Sequence, residues 1–148
     1  MSDMFNRIER EVAINASAQR VWELVAEPGW YINDKNFANH EITYDGDVAT
    51  VCDDQYGEFK LTIVQLDEPR YAAFRWHIEP DVSSSSTLVE FWVTPHASGV
   101  MLKVVGSGFE SLSEPEVNRR SRFDEHSAGW VHELDLARQY FERSTASA

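Results

Sequence analysis

Histidine, cysteine and serine are weighed first, because much protein-borne chemistry passes through them. The chain has five histidines, His40, His77, His96, His126 and His132, and one cysteine, Cys52. No two histidines stand in an H-E-x-x-H pattern, and one cysteine builds neither a thiolate cluster nor an internal disulfide, so no metal site is expected. Cys52 lies in a strand-like run and reads as a buried, inert thiol. No serine sits in a G-x-S-x-G elbow. Gly106-Ser107-Gly108 follows a strand but lacks the third glycine and the helix of a nucleotide-binding turn, so no cofactor is expected either. Asp124, Glu125 and His126 stand at the start of the final helix, where acidic residues ordinarily offset the helix dipole. Two polar side chains remain as candidates for chemistry. Tyr44 shares parity with Ile42, which would turn its hydroxyl inward, where it needs a partner. His77 alternates with Phe74 and Trp76, so it faces solvent if those rings face in.

The elements that would position these groups are legible from periodicity. Trp130, Leu134, Ala137 and Phe141 recur on one helical face, and Phe123 and Ser127 extend that face backwards. Glu125, Glu133, Arg138 and Glu142 occupy the other side, so the spacing predicts one long amphipathic helix over Asp124 to Arg143. Gly129, beside Trp130, suggests that another backbone comes close there. At the other end, Ile8 to Asn15 alternates as a half-buried strand. Ser17 stands as the N-cap of a short helix whose buried face is Val21, Trp22 and Val25. Pro28-Gly29 ends that helix, and Trp30-Tyr31-Ile32 follows in a second short helix or an irregular loop. From Glu41 the pattern turns to alternation: Glu41 to Asp45, Val48 to Asp53, Glu58 to Leu66, Tyr71 to His77, Thr87 to Thr94 and Val100 to Val105. Asp45-Gly46-Asp47 reads as a tight turn, and Pro80 to Ser86 as a flexible hairpin loop. Glu110 to Arg122 reads as a polar connector, with a short helix start around Pro115.

Composition bounds the rest. A chain of 148 residues suits one domain, here residues 1–148, burying about 70% of its unfolded surface. Its 13 basic and 25 acidic residues leave a net charge of -12. Such a surface disfavours nucleic acid and anionic membranes as partners. No stretch approaches a signal peptide core or the roughly 20 apolar residues of a membrane span, so no membrane insertion and a soluble, cytoplasmic chain are expected. The five Trp, five Tyr and eight Phe are enough to fill a core and also line a pocket.

Several local features coincide in order and spacing. They are Ile8, Arg10-Glu11-Val12, Ile14, Ala16 and Val21-Trp22; Asp67-Glu68-Pro69-Arg70-Tyr71 leading to Phe74-Arg75-Trp76; the run Gly99 to Leu112; and Ala128-Gly129-Trp130. Together they resemble the START-related superfamily, and within it the family similar to the C-terminal domain of the activator of Hsp90 ATPase. The resemblance spans roughly Ile8 to Phe141. It implies an α+β helix-grip fold: a curved antiparallel sheet of about six or seven strands wrapped around a long C-terminal helix, with two short helices after the first strand. It also implies a hydrophobic cavity between sheet and helix for a lipid, polyketide-like or aromatic molecule, and it carries no fixed catalytic set. The eukaryotic activator has a further N-terminal domain, whereas the first strand here begins at Ile8, so chaperone stimulation is not carried over.

The expected cavity lining is Trp30 and Tyr31 after the short helix, then Tyr44, Phe59, Leu61, Phe74, Trp76, Phe91 and Leu102 on the strands. Phe109 joins it after the last strand, with Trp130 and Leu134 on the helix. Three functions follow. The first is a non-catalytic binder of a small hydrophobic molecule. The second is an enzyme similar to the superfamily's cyclases and dehydratases, using Tyr44 or His77. The third is a co-chaperone-like module that meets a protein partner through the outer sheet face near Leu88 and Trp92.

Overall fold

In the computed structural model the described residues are 7–31, 40–53, 57–77, 86–109 and 116–146. They form β1 (Arg7–Ile14), α1 (Ala18–Val25), β2 (Glu41–Asp45), β3 (Val48–Asp53), β4 (Gly57–Asp67), β5 (Tyr71–His77), β6 (Ser86–His96), β7 (Gly99–Ser107) and α2 (Glu116–Ala146). All seven strands join one antiparallel sheet in the order β1-β7-β6-β5-β4-β3-β2. Strands β2 to β7 are thus a meander, and β1 closes against β7. The architecture is α+β, a sheet with a long C-terminal helix, consistent with a helix grip.

Local sequence explains the joints. The Ser17 side chain accepts a hydrogen bond from the Arg20 N–H at 3.2 Å and caps α1. Gly46, at φ 62°, makes the tight β2–β3 turn that an L side chain resists. Gly99 has a different reason: a Cβ there would run into the carbonyl oxygen of Ile14 and lie 2.9 Å from Asn15 Cα.

The inner face of the sheet follows from register. Val51, Phe59, Leu61, Trp76, Phe74, Val89, Phe91, Val104 and Leu102 share it across neighbouring strands. Helix α1 packs against β6, while α2 lies along β1 and, to a lesser extent, β7. The core between them holds Val21, Trp22, Val25, Ala137 and Phe141 as well as the sheet residues.

Four expectations change. One short helix follows β1, not two; residues 26–31 form turns, and Ile32 lies outside the described residues. The long helix begins at Glu116, so residues 116–122 of the expected connector are helical. Its first turns lie off the core (Val117 is 73% exposed), which is why no apolar stripe announced them. No neighbour stands within 4 Å of a Cβ built at Gly129, so no backbone approaches there. Finally, Glu133 is buried rather than on the solvated side of α2. The expected loop of residues 80–86 lies outside the described residues except for Ser86, which opens β6.

Candidate functional site

Three of the five tryptophans, Trp30, Trp76 and Trp130, meet around Tyr31 and Phe91 between the sheet and α2. Helix α2 follows β1 and β7 and α1 packs on β6, and between the two helices the sheet carries a cluster of rings. Tyr31, in the turn after α1, stands between Trp76 of β5 and Trp130 of α2, with ring centroids 5.1 and 4.9 Å away. Phe91 of β6 touches Trp30, Tyr31 and Trp130 at 5.4, 5.7 and 5.7 Å. The Phe59 ring extends the series through Trp76, and Phe74 extends it through Phe91. His126, one turn before Trp130, lies over Trp76 at 4.8 Å and meets Phe109 edge-on at 5.2 Å. Most contacts are edge-to-face or tilted, the arrangement that aromatic quadrupoles favour.

Of the twelve side chains expected to line a cavity, nine are buried: Trp30, Tyr31, Leu61, Phe74, Phe91, Leu102, Phe109, Trp130 and Leu134. Phe59 and Trp76 are partly buried against the same core. Tyr44 is the exception. It has the inward parity, but β2 is the sheet edge farthest from β1, where α2 lies, and Tyr44 is 60% exposed. Its hydroxyl therefore does not reach the interior.

His77 also departs from expectation. It is on the outer face, as alternation requires, yet it is buried, and its Nε2 shares a 2.8 Å hydrogen bond with Thr62 Oγ1. Neither polar candidate for catalysis is in the aromatic interior.

Two features escaped the sequence. The first is a buried pair, His40 Nε2 with Asp53 Oδ1 at 3.0 Å, whose side chains are 1% and 6% exposed. Asp53 shares the inner parity of Val51 and Ala49. The β2–β3 register could have revealed the pair: Glu41 lies opposite Cys52, so one step outward sets His40 opposite Asp53. The second is a set of buried polar atoms with no hydrogen-bond partner, Tyr31 Oη, Trp130 Nε1 and His40 Nδ1. Burial pushes the Tyr31 phenol well above its ordinary value of 10.0, so it is a neutral donor. No group of three or more potential metal ligands occurs among the described residues.

The outer face explains Trp92. Tyr71, Trp92 and Lys103 are register neighbours on β5, β6 and β7. Lys103 Nζ lies 5.1 Å from the Trp92 ring centre, and the Tyr71 ring is also 5.1 Å away. The Tyr71 hydroxyl donates to Glu90 Oε2 at 2.6 Å. Burial and that carboxylate push the Tyr71 phenol up to about 12. Trp92 and Leu88 are half-buried, so the patch is stacked and polar-rimmed, not a flat apolar surface. Among the described residues no helix is long and apolar enough to cross a membrane.

No family model matches the sequence, and no curated protein matches it either. Solved structures do match. Protein MLL2253 from Mesorhizobium loti aligns at TM-score 0.69 and 18% identity, covering 93% of this chain and 97% of that one. The Aha1 dimer from Colwellia psychrerythraea aligns at TM-score 0.67 and 13% identity, covering 92% and 96%. DynU16, a putative protein in the dynemicin biosynthetic locus, aligns at TM-score 0.66 and 19% identity over 93% of this chain and 47% of its own. At these identities the likeness is one of fold: this chain shares the α+β fold of the bacterial Aha1 protein and of MLL2253 over nearly its whole length.

Proposed function

We propose that this protein binds a small hydrophobic, ring-containing molecule between its sheet and C-terminal helix. The observation that carries this is where the aromatic cluster stands. Rings from the turn after α1, from β4, β5 and β6 and from α2 meet in one cluster between the sheet and the helix. A flat apolar molecule between such rings loses water-exposed surface at about 25 cal/mol per Å². The cluster is packed ring to ring, so a ligand enters by parting rings. Trp30 and Tyr31 lie in a turn rather than in a helix or strand, so their rings are not held by regular backbone. The binding set is Trp30, Tyr31, Phe59, Leu61, Phe74, Trp76, Phe91, Leu102, Phe109, Trp130 and Leu134, without Tyr44. A superfamily likeness to a biosynthetic-locus protein is compatible with this reading.

The reading is tested by thermal unfolding and tryptophan fluorescence across a library of lipids and aromatic compounds. It expects a saturable rise in the unfolding midpoint with at least one aromatic class, lost in Trp130→Ala. A Trp130→Ala protein that is less stable yet binds an identified ligand unchanged would return Trp130 to the plain core. Catalysis has less support, because Tyr44 and His77 both lie outside the cluster.

A further inference from the structure

We infer that the ligand presents an uncharged hydrogen-bond acceptor, such as an aryl ketone carbonyl, to the Tyr31 hydroxyl and the Trp130 indole N–H. This rests on the binding reading above and specifies the chemistry of its ligand. The two rings are in contact, 4.9 Å between centroids, and both polar atoms are buried without a partner. Buried donors are nearly always satisfied, because an unmade bond forfeits the group's hydration. One orphan could be an accident of packing; here there are two, on rings in contact.

The chemistry of the two groups decides what is missing. An indole N–H only donates, and a phenol is satisfied by donating. Both therefore ask for an acceptor. The absent partner is not another donor, which removes ammonium ligands. Two neutral donors among apolar rings favour a carbonyl over a carboxylate, whose desolvation costs several kcal/mol without a paired cation. Arg10, the nearest inward-facing guanidinium on β1, is already engaged with Ser127 Oγ at 2.7 Å and with the Glu9 carbonyl at 2.8 Å. Volume alone does not demand donors here, since Phe74, Phe91 and Phe109 supply fully buried rings in the same core. Gly106 lies beside the indole nitrogen: a Cβ there would stand 3.6 Å from Trp130 Nε1 and 3.8 Å from the Phe109 ring.

The test compares fluorenone, fluorene and a fluorene carboxylate, matched in rings and differing in the polar group, by calorimetry or fluorescence on the full chain. Wild type is expected to bind fluorenone at least ~10-fold tighter than fluorene, the size of one buried hydrogen bond. Tyr31→Phe should erase most of that ratio by weakening fluorenone binding more than fluorene binding, and should raise the unfolding midpoint of the free protein. Gly106→Ala, whose methyl covers the indole nitrogen, serves as a second variant and should lower the same ratio. Equal binding of fluorenone and fluorene in wild type would overturn the acceptor inference and leave hydrophobic binding standing. Tighter binding of the carboxylate than of the ketone would also overturn it. No binding of any of the three would count against this inference and the proposed function together.

Discussion

At the scale of single residues, the strongest statements concern polar atoms with and without partners. His40 Nε2 pairs with Asp53 Oδ1 inside the β2–β3 end of the sheet, while His40 Nδ1 has no partner. Asp53→Ala should cost about 1–3 kcal/mol in denaturant unfolding, because it leaves a buried imidazole nitrogen unpaired. Tyr31→Phe should do the reverse. Removing an orphaned hydroxyl is expected to stabilise the free protein by about 1 kcal/mol, read as a higher midpoint at unchanged slope. Tyr71 supplies a pH dependence. Its phenol is pushed from 10.0 to about 12 in the folded chain, so the folded state holds a proton that the unfolded state releases first. The stabilisation is complete below about pH 10 and is lost as the pH rises towards 12. Phenolate absorbance should show this late titration, and Tyr71→Phe should remove that part of the alkaline loss of stability. The residue-level surprises have plain causes. Tyr44 has the right parity at the sheet edge farthest from β1, and parity cannot reveal what lies above a strand. His40 and Asp53 are 13 apart and meet only through hairpin register.

Among the elements, alternation located the described strands within one or two residues of their ends, because most of them bury one face. The Ser17 cap located α1 equally well. The start of α2 was hidden because Val117, Asn118, Arg120 and Ser121 are exposed, so helicity there leaves no periodic trace. Glycine gave a mixed account. Gly129 appeared to mark a close approach, but the space around it is open, and the glycine beside Trp130 Nε1 is Gly106 on β7. Two substitutions separate these roles. Gly129→Ala should raise stability by up to about 1 kcal/mol through helix propensity alone. Gly99→Ala should lower it by about 1–3 kcal/mol, since its methyl collides with the Ile14 carbonyl and must push β1 away from β7. Thermal unfolding of both variants reads the two signs directly.

For the whole molecule, an α+β sheet-and-helix fold could be recognised from order and spacing, and the structural likeness to MLL2253 and the bacterial Aha1 protein agrees with it. The meeting of Tyr31 with Trp130 could not be foreseen, since it depends on how an irregular turn docks on a helix about a hundred residues later. That meeting concentrates the functional account in one place. The net charge of -12 disfavours polyanionic partners, while the cluster between sheet and helix is ring-lined. The most direct test of binding is native mass spectrometry of the full chain purified from its own host. The account predicts a retained small, uncharged aromatic molecule that is released on denaturation. A bare protein mass, with no shift in unfolding midpoint across a lipid and aromatic library, would contradict it.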